Sequence, residues 1–123
     1  MIRQPVILIV EDDILCRVSA AEHLRSAGYE VAEAADAAAA ITVLDSGEIV
    51  DVVFTDVQMP GTMDGLMLIH WVREHHPGAK VLVTSGNGDA AVSSGLVAGE
   101  AFFSKPYSVA EVASHIRSVL EVR

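Results

Sequence analysis

Short apolar runs alternate with longer amphipathic segments along this chain. Four runs are almost continuously hydrophobic and too short for helices: residues 6–10, 52–54, 81–83 and 101–103. Strands covered on both faces have this composition, and their sheets are usually parallel with helices as crossovers. A fifth, weaker strand is predicted over Glu30–Ala34, where polar and apolar residues mix as in an edge strand.

The segments between the strands have helical spacing. Apolar residues recur at intervals of three and four over residues 109–120, behind a typical N-cap residue, Ser108. Further helices are predicted over residues 14–27, over 36–44, and from Gly65 to the stop at Pro77; the weakest, over 89–98, is interrupted by serines and a glycine. Five strand–helix pairs in a row predict one α/β domain over residues 1–123, with an ordered core of about 5–121 and a doubly wound parallel sheet.

Ligands of such a sheet bind beyond the carboxyl ends of its strands. These positions carry Glu11, Asp12 and Asp13 after the first strand, Thr55 and Asp56 after the third, Thr84 and Ser85 after the fourth, and Ser104 and Lys105 after the fifth. Clustered carboxylates repel one another unless a cation lies between them. An oxygen-rich set without thiolates or paired imidazoles favours Mg²⁺ over Zn²⁺ or Ca²⁺, with Mn²⁺ as a substitute.

A metal site beside an ammonium and a hydroxyl is suited to a phosphoryl group, because the two cations screen its anionic oxygens. The chain has no GxxxxGK[ST] loop and no GxGxxG after the first strand, which argues against a nucleoside triphosphate as the donor. A carboxylate can itself be the nucleophile and hold the phosphoryl group covalently. Among the carboxylates at the strand ends, Asp56 at the end of the central strand is the best placed to be this nucleophile.

Four stretches in this order resemble the receiver domain of two-component response regulators: residues 6–13 (VILIVEDD), 54–65 (FTDVQMPGTMDG), 82–86 (LVTSG) and 102–107 (FFSKPY). The resemblance covers essentially the whole chain. It implies the flavodoxin-like, CheY-like three-layer sandwich with strand order 2-1-3-4-5. It also implies that Asp56 accepts a phosphoryl group from a phosphohistidine on a histidine kinase or phosphotransfer protein, and that phosphorylation changes the binding of a downstream protein.

The same resemblance implies the metal ligands. Mg²⁺ would be bound by the carboxylates of Asp12 and Asp56, by the backbone carbonyl of Gln58, and by Glu11 through a water. Lys105 would pair with the phosphoryl oxygens, after a peptide bond to Pro106 that is cis in the family. Asp13 is instead interpreted as a helix N-cap.

Switch residues are also implied. Ser85, directly before Gly86, resembles the switch hydroxyl, with Thr84 as the alternative, and Phe102 takes the place of the coupled switch aromatic. Gln58 and Asn87 occupy positions that tune autodephosphorylation in receivers, so we expect self-dephosphorylation. Beyond this and the phosphotransfer itself, no enzymatic activity is expected.

Two departures from the family pattern affect how phosphorylation would be transmitted to a partner protein. Thr62 is an extra residue in the loop beside Asp56, and only 20 residues separate Ser85 from Lys105. The missing length falls on the predicted helix over 89–98, part of the face that normally reports phosphorylation. A scaffold that binds its partner regardless of phosphorylation therefore stays open, as does a receiver excised from a hybrid histidine kinase, since the chain ends after its last predicted helix.

The amino-acid composition disfavours two classes of binding partner, nucleic acids and membranes. Eight Lys and Arg against 17 Asp and Glu give a net charge of −9, which disfavours direct binding to nucleic acid. The single cysteine and the absence of a long apolar run predict a cytoplasmic protein that does not enter membranes. A homodimer is compatible with the sequence.

Overall fold

The computed structural model describes residues 4–57, 63–85 and 101–121. Its strands are β1 (Val6–Val10), β2 (Glu30–Ala34), β3 (Val52–Asp56), β4 (Lys80–Ser85) and β5 (Ala101–Ser104). Its helices are α1 (Ile14–Ser26), α2 (Ala37–Asp45), α3 (Gly65–His75) and α4 (Val109–Glu121). All neighbouring strands pair in parallel in the order β2-β1-β3-β4-β5, so the predicted α/β sheet and its edge strand β2 are confirmed. The predicted helix over 89–98 and the inserted Thr62 lie outside the described residues.

The sheet has a hydrophobic core on each face. Leu8, Val53 and Val83 pack on the side of α2 and α3. Ile7, Phe54 and others pack on the side of α1 and α4. Because alternate residues of β1 and β3 point into different cores, every residue of these strands is buried, which explains their unbroken hydrophobicity.

Acidic residues cap three of the helices. The side chains of Asp13, Asp36 and Asp64 accept hydrogen bonds from the backbone N–H groups three residues later, at 3.0, 2.8 and 3.0 Å. The capping interpretation of Asp13 is confirmed. These bonds satisfy donors that a helix start otherwise leaves unpaired. Among the described residues, no helix is long and apolar enough to cross a lipid bilayer.

Candidate functional site

The carboxyl ends of the strands bring the candidate residues to one edge of the sheet. Asp56 lies opposite Thr84 in the β3–β4 register, and Ser85 lies opposite Ser104 in the β4–β5 register. Hydrogen bonds continue the sheet one residue further, from Glu11 N to Ala34 O at 3.0 Å and from Lys105 N to Ser85 O at 3.1 Å. The backbone positions of the site are therefore fixed by the sheet itself.

Lys105 lies between two buried carboxylates. Its Nζ is 2.7 Å from Asp56 Oδ2 and 2.9 Å from Glu11 Oε1. The residues Asp56 and Glu11 are only 4% and 3% exposed. The peptide bond to Pro106 is cis, as the family resemblance implies. The ammonium, which follows β5, thus offsets the negative charge of two carboxylates from the ends of two other strands, β1 and β3.

A third carboxylate completes an acidic cluster. One oxygen each from Glu11, Asp12 and Asp56 lies within 4.8 Å of the other two, and Asp12 is exposed to solvent. Glu11 Oε1 is buried and, among the residues that the structure describes, makes no directed hydrogen bond, although it forms the ion pair with Lys105. Three hard oxygen donors within 4.8 Å of one another, one of them with unused acceptor capacity, fit a Mg²⁺ ion that keeps several waters.

Burial and charge shift the proton affinities in this cluster. Burial raises the pKa of Glu11, and the nearby ammonium of Lys105 offsets part of that effect. Burial alone would lower the pKa of Lys105, but its close contacts with the carboxylates of Asp56 and Glu11 outweigh burial, so this pKa is raised. Lys105 is therefore a permanent cation at neutral pH.

Helix α3 begins against the same site. Gly65 N donates to Val57 O at 2.8 Å, directly after Asp56. Asp64, the preceding residue, caps the helix through Met67 N. The Asp64–Gly65 pair thereby attaches the start of α3 to the end of β3.

The family model of the response regulator receiver domain matches residues 7–117. The chain belongs to this family. The receiver domain is 36% identical over 118 residues to the sensor kinase CckA of Brucella abortus, covering 94% of this chain and 12% of that protein. It is 34% identical over 121 residues to the probable transcriptional regulatory protein TcrX of Mycobacterium tuberculosis, covering 95% of this chain and 50% of that protein. The chain thus spans half or less of the length of these curated relatives.

Solved receiver structures have the same fold. A response regulator receiver protein from Sinorhizobium medicae superimposes with a TM-score of 0.89 at 25% identity, covering 98% of this chain and 97% of that one. A CheY-like receiver domain from Methanospirillum hungatei gives 0.84 at 26% identity, covering 97% and 95%. The CheY-like architecture expected from the sequence is confirmed.

The switch candidates of this receiver domain lie at the same edge. Ser85 and Thr84 are both buried, and Thr84 Oγ1 has no hydrogen-bond partner within the described ranges 4–57, 63–85 and 101–121. Phe102 is half-buried against the core that contains α2 and α3, whereas Phe103 packs against the opposite core. The switch roles of Ser85, Thr84 and Phe102 stay predictions, and Gln58 and Asn87 lie outside the described residues.

Two residues of the site region were not singled out from the sequence. Arg17 donates from Nη1 to the carbonyl of Glu11 at 2.9 Å. Tyr107 packs edge-on against Phe54, with ring centroids 5.3 Å apart, and burial raises its pKa to about 12. The sequence offered one signal for each of them. An aromatic residue directly after Lys105-Pro106 indicates burial of Tyr107, and a position one turn into α1 places Arg17 near the end of β1.

Proposed function

We propose that this receiver domain accepts a phosphoryl group on the side chain of Asp56 from a phosphohistidine of a partner protein. A carboxylate oxygen of Asp56 attacks phosphorus, the N–P bond of the donor breaks, and the leaving imidazole takes a proton from solvent. The observation that carries this proposal is the buried Asp56 carboxylate at 2.7 Å from the Lys105 ammonium, beside two further acids.

The chain's own cation has a defined part in this reaction. Lys105 lies against one carboxylate oxygen of Asp56, so its charge is already in place to stabilise the anionic oxygens of a phosphoryl group added there. The buried hydroxyl of Ser85, or that of Thr84, is proposed to donate to one of those oxygens. Phe102 is proposed to follow that hydroxyl, which would transmit phosphorylation to the surface.

The acidic cluster would hold the metal. The carboxylates of Asp12 and Asp56 and the backbone carbonyl of Gln58 are the proposed ligands of Mg²⁺, or of Mn²⁺ in its place, with Glu11 acting through a water. A bound divalent cation would neutralise charge that develops on the phosphoryl oxygens. Gln58 and Asn87 are proposed to tune the loss of the phosphoryl group by hydrolysis.

Exposed apolar residues beside the acidic loop, residues 11–13 between β1 and α1, support a protein as the phosphoryl donor. Ile14 and Leu15, the first two residues of α1, are 61% and 80% exposed, and Val18 is 39% exposed. A helix of a histidine kinase or phosphotransfer protein that packed here would bury them while presenting its phosphohistidine to Asp56. We propose a protein rather than nucleic acid as the downstream partner, since the chain carries a net charge of −9. A cytoplasmic location agrees with the free cysteine Cys16.

Phosphorylation by a small-molecule donor tests the proposal. The wild-type chain is incubated with acetyl phosphate and Mg²⁺, and its intact mass is followed. We expect the mass of one added phosphoryl group in the wild type and in Asp64→Asn, where asparagine keeps the helix cap, and none in Asp56→Asn. An unmodified wild type, or a modified Asp56→Asn, would overturn the assignment.

The similarity to part of a sensor kinase favours a second candidate function, in which this chain is the receiver domain of a hybrid histidine kinase and Asp56 accepts the phosphoryl group there. The competing function is a scaffold that binds regardless of phosphorylation. Partner affinity that stays the same in Asp56→Asn would support the scaffold, and affinity that depends on phosphorylation would support the switch.

A further inference from the structure

Arg17 ties the acidic loop to the edge strand of the sheet. From its position on α1, it donates from Nη1 to Glu11 O at 2.9 Å and from Nε to Glu33 Oε1 at 3.3 Å. The Arg17 side chain is 16% exposed. Glu33, on β2, is held by a second arginine, because Arg25 Nη2 lies 3.2 Å from its Oε2.

The carbonyl that Arg17 binds belongs to the peptide unit that joins Glu11 to Asp12. Its orientation therefore affects the directions in which both side chains leave the backbone. The same peptide region is fixed from two other sides, since Glu11 N donates to Ala34 O at 3.0 Å and Asp13 N donates to Glu11 Oε2 at 3.1 Å. Arg17 supplies the contact on the remaining carbonyl.

Resting on the proposed metal site, we propose that Arg17 is a positioning residue that orients the Glu11–Asp12 peptide for divalent-cation binding. Its guanidinium is suited to this, because the planar fork donates to the carbonyl and to Glu33 at the same time. Groups that orient metal ligands without touching the metal contribute strongly to affinity.

Electrostatics alone predicts the opposite change in Mg²⁺ affinity when Arg17 is removed. Arg17 is a cation close to a proposed cation site, so removing it would strengthen Mg²⁺ binding if its charge were all that mattered. Loss of positioning instead weakens binding, because Glu11 and Asp12 must then be ordered when the metal arrives. The direction of the change therefore separates the two roles.

The test measures the Mg²⁺ dissociation constant from the dependence of thermal stability on Mg²⁺ concentration. We expect Arg17→Ala to weaken binding about tenfold or more, and Arg17→Lys, which keeps the charge but not the fork, to lie between it and the wild type. Arg25→Ala is the matched control, because Arg25 shares Glu33 but donates to Val31 O at 3.1 Å instead of to the acidic loop. It should bind within about twofold of the wild type.

Binding in Arg17→Ala that equals or exceeds the wild type would overturn the inference. If that variant does not fold, the comparison of Arg17→Lys with the wild type decides, and unchanged affinity there would overturn it as well. A wild-type chain whose stability does not respond to Mg²⁺ would refute the proposed metal site instead, so the two failures are distinguishable.

Discussion

Gly65 lies so close to the backbone of Asp56 that no side chain fits between them. A Cβ built on Gly65 would be 2.6 Å from Val57 Cα and 2.8 Å from the carbonyl carbon of Asp56, closer than real Cβ atoms approach other atoms. These neighbours are main-chain atoms of a buried strand and cannot move aside easily. The start of α3 and the proposed acceptor are therefore one packed unit.

Gly65→Ala is expected to destabilise the fold by about 2–3 kcal/mol, because the new methyl group must displace the end of β3. It should also slow phosphorylation of Asp56. Gly78→Ala is the control, since a Cβ there meets no atom of the described part of the chain within 4 Å, and it should change stability by less than about 0.5 kcal/mol. Denaturant unfolding of both variants checks this, and equal stabilities would refute the packing argument.

Lys105→Met is expected to lower stability in EDTA by about 3 kcal/mol, because Glu11 and Asp56 would stay buried without their shared cation. Added Mg²⁺ should then restore more stability than it adds to the wild type. Thermal unfolding with and without Mg²⁺ measures both effects. Lys80→Met is the control, because it removes the exposed side chain of the chain's other lysine. It should change neither the stability in EDTA nor the stability that Mg²⁺ adds.

Asp12→Asn should separate metal binding from folding. Asp12 is exposed, so its replacement should leave the stability without metal within about 0.5 kcal/mol of the wild type. The loss of one anionic ligand should weaken Mg²⁺ binding about tenfold or more. Calorimetric titration with Mg²⁺ measures the affinity. A variant that binds Mg²⁺ as tightly as the wild type would remove Asp12 from the ligand set.

Ionisation of Tyr107 should destabilise the protein at high pH. The folded-state pKa of about 12 lies above the ordinary value near 10, so the neutral phenol is favoured by folding. Its contribution to stability is complete below about pH 10 and is lost as the pH rises through about 12. Tyr107→Phe should lose less stability over that interval, as measured by urea unfolding. An identical pH dependence in both proteins would contradict this.

The sequence was sufficient to predict the sheet and most of the site. Continuous apolar runs identify β1 and β3 because both faces of a central parallel strand are covered, and the mixed run at Glu30–Ala34 identifies the edge. Glu11, Asp56 and Lys105 were predicted to converge because parallel strands end at the same edge of the sheet. No knowledge of side-chain contacts was needed for that step.

Other contacts could not be predicted in this way. The bond from Arg17 to the carbonyl of Glu11 depends on how α1 is rotated about its axis, and the ion pair with Glu33 joins a helix to a strand 16 positions away. The burial of Tyr107 depends on where α4 docks against β3. Such details follow from tertiary packing, which local periodicity does not specify.

Glu11, Asp56 and Lys105 come from the two ends and the middle of the chain, so their meeting reports that the whole sheet has assembled. A fragment cut before β5 would retain the proposed acceptor carboxylate and both neighbouring acids but lack the ammonium of Lys105. If Asp56 is the phosphoryl acceptor, as proposed, phosphotransfer requires the complete sheet, and a chain truncated before β5 is expected to stay unphosphorylated.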